Sequence, residues 1–291
     1  MKAVIPAAGW GVRFLPLTKE QPKEMIPVVD KPTIQYVVEE ALAAGIDDIV
    51  IITGRHKRGI EDHFDRSYEL EAVLERGGKL EYLRKVREIS SMADIHFIRQ
   101  KEQRGLGHAV LKAKQHIGDE PFAVMLGDTI YRSKVPVVKQ LMDVHKRTGK
   151  SVIAIEPVPM DKVQDYGIIS GKEVEKDLYL LDDLVEKPSP EQAPSNLAIA
   201  GTYLLTPDIF EAIERTPPGL NGEIQLTDAL KILLKKEDIY GWRFEGKRYD
   251  IGDMLGWLKT QMELGLLHPE YGAPLREHME NLLKNGPGRT R

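Results

Sequence analysis

The chain has 291 residues, 42% hydrophobic and 30% charged, a globular composition long enough for one large α/β domain or two ordinary ones. Its 41 Lys+Arg against 45 Asp+Glu leave a net charge of −4, which excludes a global attraction for nucleic acid or an anionic membrane. Cysteine is absent, so disulfides, thiolate metal sites and a cysteine nucleophile are excluded as well. The opening MKAVIPAAG is too short an apolar run for a signal-peptide core. No stretch approaches the ~18 apolar residues of a membrane span, and a cytoplasmic protein is expected.

Residues 2–8 are a short apolar run that ends at glycine, a predicted strand. Residues 33–44 follow with Ile34, Val37, Val38, Ala41 and Leu42 at helical spacing. Pro32 suits the first turn of that helix and Gly45 its C-terminus. Further predicted strands lie at 48–53, 94–99 and 122–126. Alternating strands and helices imply a parallel sheet covered on both faces. Residues 55–91 break the rhythm. They are highly charged, helical in pattern and divided at Gly77-Gly78. Two readings are open: an inserted helical pair serving as a lid or interface, or one solvated helix with a break. The second half is strand-like at 151–158, 166–170, 178–186 and 197–205. Residues 224–235 are a predicted helix, 239–251 are strand-like, and 251–267 and 274–285 are helical. One continuous domain over 1–285 with a sheet extension is expected, and a frayed tail at 286–291.

The loop after the first strand carries Ala8, Gly9, Gly11 and Arg13. Glycines there let backbone N–H groups approach a phosphate. The dinucleotide fingerprint needs a third glycine where Phe14 stands, and the Lys-Thr or Lys-Ser of a Walker loop is missing. Repeated prolines then keep the chain extended through Pro16, Pro22 and Pro27, so that Arg13 and Lys23 could wrap a polyphosphate.

The full pattern GxGxRxxPxTxxxPKxxxPxxxKP resembles the opening of the sugar-1-phosphate nucleotidylyltransferases. PKEMIPVVDKP, QYVVEEA, TGRHKRGIEDHFD, RQKEQRGLGHA, VEKP, APSNLAIAG, GEIQLTD and RYDIGD all look like one branch, the bacterial-type UTP–glucose-1-phosphate uridylyltransferases. The charged 55–91 insertion also resembles that branch. The resemblance implies a Rossmann-like mixed, mainly parallel sheet with helices on both faces and a small β extension. It implies attack by glucose 1-phosphate on the α-phosphorus of UTP, giving UDP-glucose and pyrophosphate. The sugar phosphate is already an oxyanion, so positioning and charge neutralisation suffice.

Carried over residue by residue, the resemblance implies Mg2+ on Asp128 and Asp250. It gives catalytic cations at Arg13, Lys23 and Lys187, with Lys23 on the UTP phosphates and Lys187 on the sugar phosphate. Nucleotide contacts fall to Ala8, Gly9, Gly11, Gln100 and Gly105. Sugar contacts fall to Tyr166, Gly167, Glu186 and Glu223. Many members carry a second aspartate where this chain has Thr129. A homodimer or homotetramer is expected, with no nucleic acid or membrane partner.

His56 with His63, and His108 with His116, lack the spacing of a two-histidine zinc helix and are expected at the surface or in packing. Trp10, Trp242 and Trp257 are expected in core or loop packing. The rivals are a nucleotidylyltransferase for another sugar nucleotide such as dTDP-glucose, a nicotinamide dehydrogenase, and a non-catalytic sugar-nucleotide sensor. The missing third glycine and the PKEMIP loop disfavour the dehydrogenase. The presence of both acidic metal ligands and both phosphate-binding cations disfavours the sensor.

Overall fold

A computed structural model describes residues 1–286. The expected frayed tail falls outside these residues, apart from Gly286. The chain opens with β1 (Lys2–Pro6), the short ribbon β2 (Pro27–Val28) and β3 (Lys31–Pro32), α1 (Thr33–Ala43) and β4 (Asp48–Thr53). Next come α2 (Arg58–Phe64), α3 (Tyr68–Arg76), α4 (Leu80–Ser90) and β5 (Asp94–Arg99). Then follow α5 (Leu106–Leu111), α6 (Lys114–Ile117), β6 (Phe122–Met125), β7 (Thr129–Arg132), α7 (Val137–Thr148) and β8 (Ser151–Pro157). The remainder is β9 (Gly167–Glu175), β10 (Leu178–Glu186), β11 (Leu197–Leu205), α8 (Asp208–Arg215), α9 (Leu226–Leu233), β12 (Ile239–Arg243), β13 (Lys247–Asp250), α10 (Met254–Leu267) and α11 (Gly272–Asn285).

Nine strands form one mixed sheet in the order β5-β4-β1-β6-β11-β8-β12-β10-β9. The N-terminal strands β5, β4, β1 and β6 run parallel. From β11 onward antiparallel pairs dominate, with β8 and β12 still parallel. Central strands are covered on both faces and are therefore apolar throughout. In β1, Val4 packs into one core with Val50, Val124 and the inner faces of α5, α8 and α9. Its neighbours Ala3 and Ile5 pack into the other, against Val37, Val38, Ile49 and Leu141 from β4, α1 and α7. The two-residue period of the strand thus feeds both layers.

The expected helix after β3 is present, with Ile34, Val37, Val38 and Ala41 buried. Gly45 follows it with φ 84°, a conformation that favours glycine. The charged insertion holds three helices, and α3 and α4 part at Gly77-Gly78 as the pattern predicts. Glu71 ties them together: it accepts from Arg66 at 2.7 Å and from Arg87 at 2.8 Å, which pulls its carboxyl down to about 2.

Three readings change. The proline-rich loop is not simply extended, because it forms short 3-10 turns at Val12–Phe14, Leu17–Lys19 and Lys23–Met25. Residues 239–251 are two strands in different sheets, since β12 joins the large sheet while β13 pairs with β7. The helices α5, α6, α7 and α8 were not anticipated.

Candidate active site

Parallel α/β sheets expose their ligand-binding crevices at the carboxyl ends of the strands. The loops after β1 and β6 end there, carrying Ala8-Gly9 and Asp128. They border a cleft of about 420 Å³, lined also by Lys23, Glu24, Gln100, Gln103, Gly105 and Glu223. A second cleft of about 310 Å³ adjoins it, lined by Arg13, Tyr166, Gly167, Glu186, Lys187 and Asp250 among others. Asp128, Glu223, Leu106 and Leu126 border both.

The β7–β13 ribbon brings the two aspartates to the same cleft. Its register pairs Asp250 with Thr129, next in sequence to Asp128, and the Ile251 N–H donates to the Asp128 carbonyl. Lys23 donates to Asp128 Oδ2 at 2.5 Å. Burial alone would push the Asp128 carboxyl up, but the Lys23 ammonium overrides it and holds it below the usual range. Burial likewise works against the Lys23 charge, and Asp128, Glu24 and Asp250 outweigh it, so its pKa is raised. Asp250 accepts from the Tyr166 hydroxyl at 2.9 Å, the Gly252 N–H at 2.9 Å and Arg248 at 3.2 Å. Burial and Asp250 together push the Tyr166 hydroxyl up to about 12, so it stays a donor. Asp128 and Asp250 present hard carboxylate oxygens, the ligand type that suits Mg2+.

Beneath the first cleft lies a buried ion pair. Lys57 donates to Glu24 Oε2 at 2.8 Å, with side chains 6% and 1% exposed. Burial pushes the Glu24 carboxyl up despite Lys23 and Lys57. Its second oxygen, Oε1, is buried without a hydrogen-bond partner.

Gln100 is buried at the end of β5. Its Nε2 faces the Gly105 carbonyl at 3.2 Å and His108 Nδ1 at 2.9 Å. Burial, with Lys112 and Arg104 nearby, pushes the His108 imidazole below its ordinary range, so a neutral ring accepts through Nδ1. Both amide protons are thereby used, and the free face of Gln100 is its carbonyl oxygen. Gly105 has φ 99°, and a Cβ there would stand 2.8 Å from Glu223 Cβ and from the Ile224 carbonyl. Its glycine is required by the packing of the NGEIQL segment as well as by the cleft.

On the other side, Glu186 Oε2 accepts from the Thr227 hydroxyl at 2.7 Å, and Lys187 lies 3.5 Å from Glu186 Oε1. Lys187 holds φ 45°, a strained left-handed backbone for a side chain of its size, fixed by its N–H on the Tyr166 carbonyl at 3.0 Å.

The structure gathers every expected site residue around these clefts except Gly11, which lines neither. Gly11 takes φ 67°, and a Cβ there would crowd Thr18 and Lys23 at 3.1 Å, so its place is in the turn. Arg13 and Lys23 do not share one cleft, because the 3-10 turns send Arg13 toward Gly252 and Lys23 toward Asp128. Trp10 is not packed away: it is 64% exposed at the mouth of the first cleft, beside His56. Trp242 and Trp257 do pack, each with its indole N–H on an acceptor. His108 is buried, the packing alternative of the two expected for it, and partners Gln100. Sequence reasoning passed over Glu24, Lys57, Gln103, Thr227 and Arg248. All five lie inside the quoted motifs, which was the available signal. Gln103 donates to the Ala8 carbonyl at 2.5 Å and leaves its own buried Oε1 without a partner.

Residues 2–265 match the model of the nucleotidyl transferase family, and the chain belongs to that family. It is 53% identical over 281 residues to a UTP–glucose-1-phosphate uridylyltransferase of Staphylococcus epidermidis, covering 97% of this chain and 98% of that one. A crystal structure of a UDP-glucose pyrophosphorylase complexed with UDP-glucose superposes with a TM-score of 0.83 at 46% identity, covering 90% of this chain and 97% of the other. A UTP-bound enzyme of the same kind from Acinetobacter baumannii gives 0.90 at 38%, covering 97% and 99%.

Proposed function

We propose that this chain transfers a uridylyl group from UTP to α-D-glucose 1-phosphate, releasing pyrophosphate and forming UDP-glucose. The observation that carries the reading is the pair of clefts joined at Asp128 and Glu223, in a chain so similar to enzymes of that name. The nucleotide occupies the first cleft and the sugar phosphate the second. A phosphate oxygen of the sugar attacks the α-phosphorus in line, a P–O bond forms, and the bond to pyrophosphate breaks. No general base is required.

Ala8 and Gly9 offer backbone N–H groups to the nucleotide. The Gln100 carbonyl accepts the N3–H of uracil; cytosine has no proton there and would set acceptor against acceptor. Lys23 moves its charge between Asp128 and the UTP phosphates. Arg13 and Lys187 neutralise the sugar-phosphate side, Glu186 accepts from sugar hydroxyls, and Tyr166, Gly167 and Glu223 shape the sugar pocket. Asp128 and Asp250 would hold Mg2+, which supplies neutralisation of phosphate charge when bound. The whole of 1–285 acts as one catalytic unit.

No helix among the described residues is long and apolar enough to cross a membrane. Both substrates are charged phosphates, which supports a cytoplasmic site of work. The exposed apolar side chains Leu255, Leu258 and Met262 on α10 support association of the chain with copies of itself as a homodimer or homotetramer.

The test is pyrophosphate release from each of four nucleoside triphosphates with glucose 1-phosphate, with and without Mg2+. UTP with Mg2+ should give the highest kcat/KM. A better rate with dTTP, CTP, ATP or GTP, or turnover without a divalent ion, overturns the reading.

A further inference from the structure

At the opposite end of the sheet from both clefts, three side chains converge. Asp48 opens β4, His96 is the third residue of β5, and His116 lies in α6. The β4–β5 register pairs Asp48 with Asp94 and Val50 with His96, so Asp48, Asp94 and His96 leave one face of the sheet. The α6 helix lies over that face, its Ile117 in the same core as Val50.

His116 Nε2 stands 3.0 Å from Asp48 Oδ1, and His96 Nε2 stands 3.9 Å from the same oxygen. The two imidazole centroids are 4.5 Å apart. One donor atom from each of the three residues lies within 4.8 Å of the others. Asp94 Oδ2 is 3.6 Å from His96 Nε2 on the solvent side.

A simple hydrogen-bonded tie accounts for His116 but not for His96. At 3.9 Å the second imidazole is beyond hydrogen-bond reach of the oxygen it faces. Among the described residues no lysine or arginine pairs with Asp48. The nearest strand-partner cation, Lys2, is engaged at 2.6 Å with the His116 carbonyl. In a tetrahedral zinc site with bonds of about 2.0–2.1 Å, neighbouring donor atoms stand roughly 3.3 Å apart. The distances of 3.0 and 3.9 Å bracket that spacing.

We propose that Asp48, His96 and His116 bind a borderline-soft divalent cation of the Zn2+ class. The site is distinct in place and chemistry from the carboxylate pair of the clefts. Imidazole donors select zinc and its neighbours over magnesium. The fourth position is open to water or to the exposed Asp94. The role is structural: β5 is an edge strand of the nine, and the ion staples it to β4 and to α6.

The test uses the full chain carrying Asp128→Asn and Asp250→Asn, so that the cleft carboxylates do not compete. Co2+ is titrated and its visible d–d absorption followed, then displaced with Zn2+ or Mg2+. One equivalent of Co2+ should bind with the strong absorption of a tetrahedral ion, displaced by Zn2+ and not by Mg2+. His96→Ala should weaken Co2+ binding at least tenfold and abolish the rise in melting temperature with Zn2+, while leaving pyrophosphate release unchanged in the parent chain. His116→Ala should do the same to binding, and the half-exposed His96 keeps the test valid if that variant misfolds. Absence of saturable Co2+ binding, a weak octahedral spectrum, or equal affinity in His96→Ala overturns the proposal.

Discussion

The two clefts are built from different materials. The first rests on the carboxyl ends of parallel strands and, beside Lys23, Glu24, Asp128 and Glu223, presents backbone groups, glycines and amides at Ala8, Gly9, Gln100, Gln103 and Gly105. The second stands mainly on the antiparallel strands and presents ionisable side chains, Glu186, Lys187, Arg248 and Asp250, joined by Arg13 from the turn after β1. A flat base is discriminated by donor and acceptor placement, which rigid backbone supplies at low entropic cost. A sugar phosphate is held by charge, which long side chains on a twisted ribbon can deliver. Asp128 lines both clefts.

This contrast breaks most severely if the two candidate metal-binding carboxylates are dispensable. Asp128→Asn and Asp250→Asn should each lower kcat on the order of a thousandfold, because neutralisation of phosphate charge is worth several kcal/mol in the transition state. Pyrophosphate-release kinetics on folded protein would measure it, and a loss under tenfold would remove the metal assignment.

The next effect concerns stability under the first cleft. Lys57→Met should cost on the order of 3 kcal/mol, because it removes the cation hydrogen-bonded to the buried Glu24 and leaves only the nearby Lys23 charge. Denaturant unfolding of this variant and of the Lys57→Met/Glu24→Gln pair would check it. The double variant should recover most of the loss, since a neutral amide tolerates the site that burial already makes hostile to the carboxylate.

Lys187→Ala sharpens the division of labour. One charge-assisted contact is worth about 1.5–3 kcal/mol, so KM for glucose 1-phosphate should rise roughly 10–100-fold while that for UTP changes little. Lys23→Ala should act on UTP instead. Equal losses for both substrates in both variants would dissolve the two-cleft assignment.

The smallest effect is on base selection. His108→Leu frees one Gln100 N–H and lets the amide rotate, so the preference for UTP over CTP should fall by roughly fivefold, about 1 kcal/mol. The pH dependence has a defined sign. Burial lowers the imidazole pKa, so the neutral acceptor persists through neutral pH and is lost only on acidification below the ordinary histidine range. UTP selectivity should therefore be flat above pH 7 and decline only at acid pH, in the wild type and not in His108→Leu. Competition assays at several pH values would show it.

Much of this was legible in the residues. The bounds of β4, β5, β10 and β11 follow from apolar runs, and α1 from its 3.6-residue period, because both patterns are set by neighbours a few positions away. The proline and glycine spacing marked the loop that bears Ala8 and Lys23, the quoted motifs marked Glu186, Lys187 and Asp250, and the family resemblance marked Asp128 at the end of the 122–126 strand. What the chain alone could not decide was which groups share a partner. Arg13 and Lys23 look alike in sequence, and only the intervening 3-10 turns send them to different clefts. Gln100 and His108 are eight positions apart, yet their bond fixes which atom of the amide faces the cleft. Asp48 and His116 lie 68 positions apart and meet because strand register and helix docking bring them to one face. Local periodicity is written by adjacent residues, whereas pairings of this kind depend on how whole elements align, and that is settled only when the sheet and its helices pack.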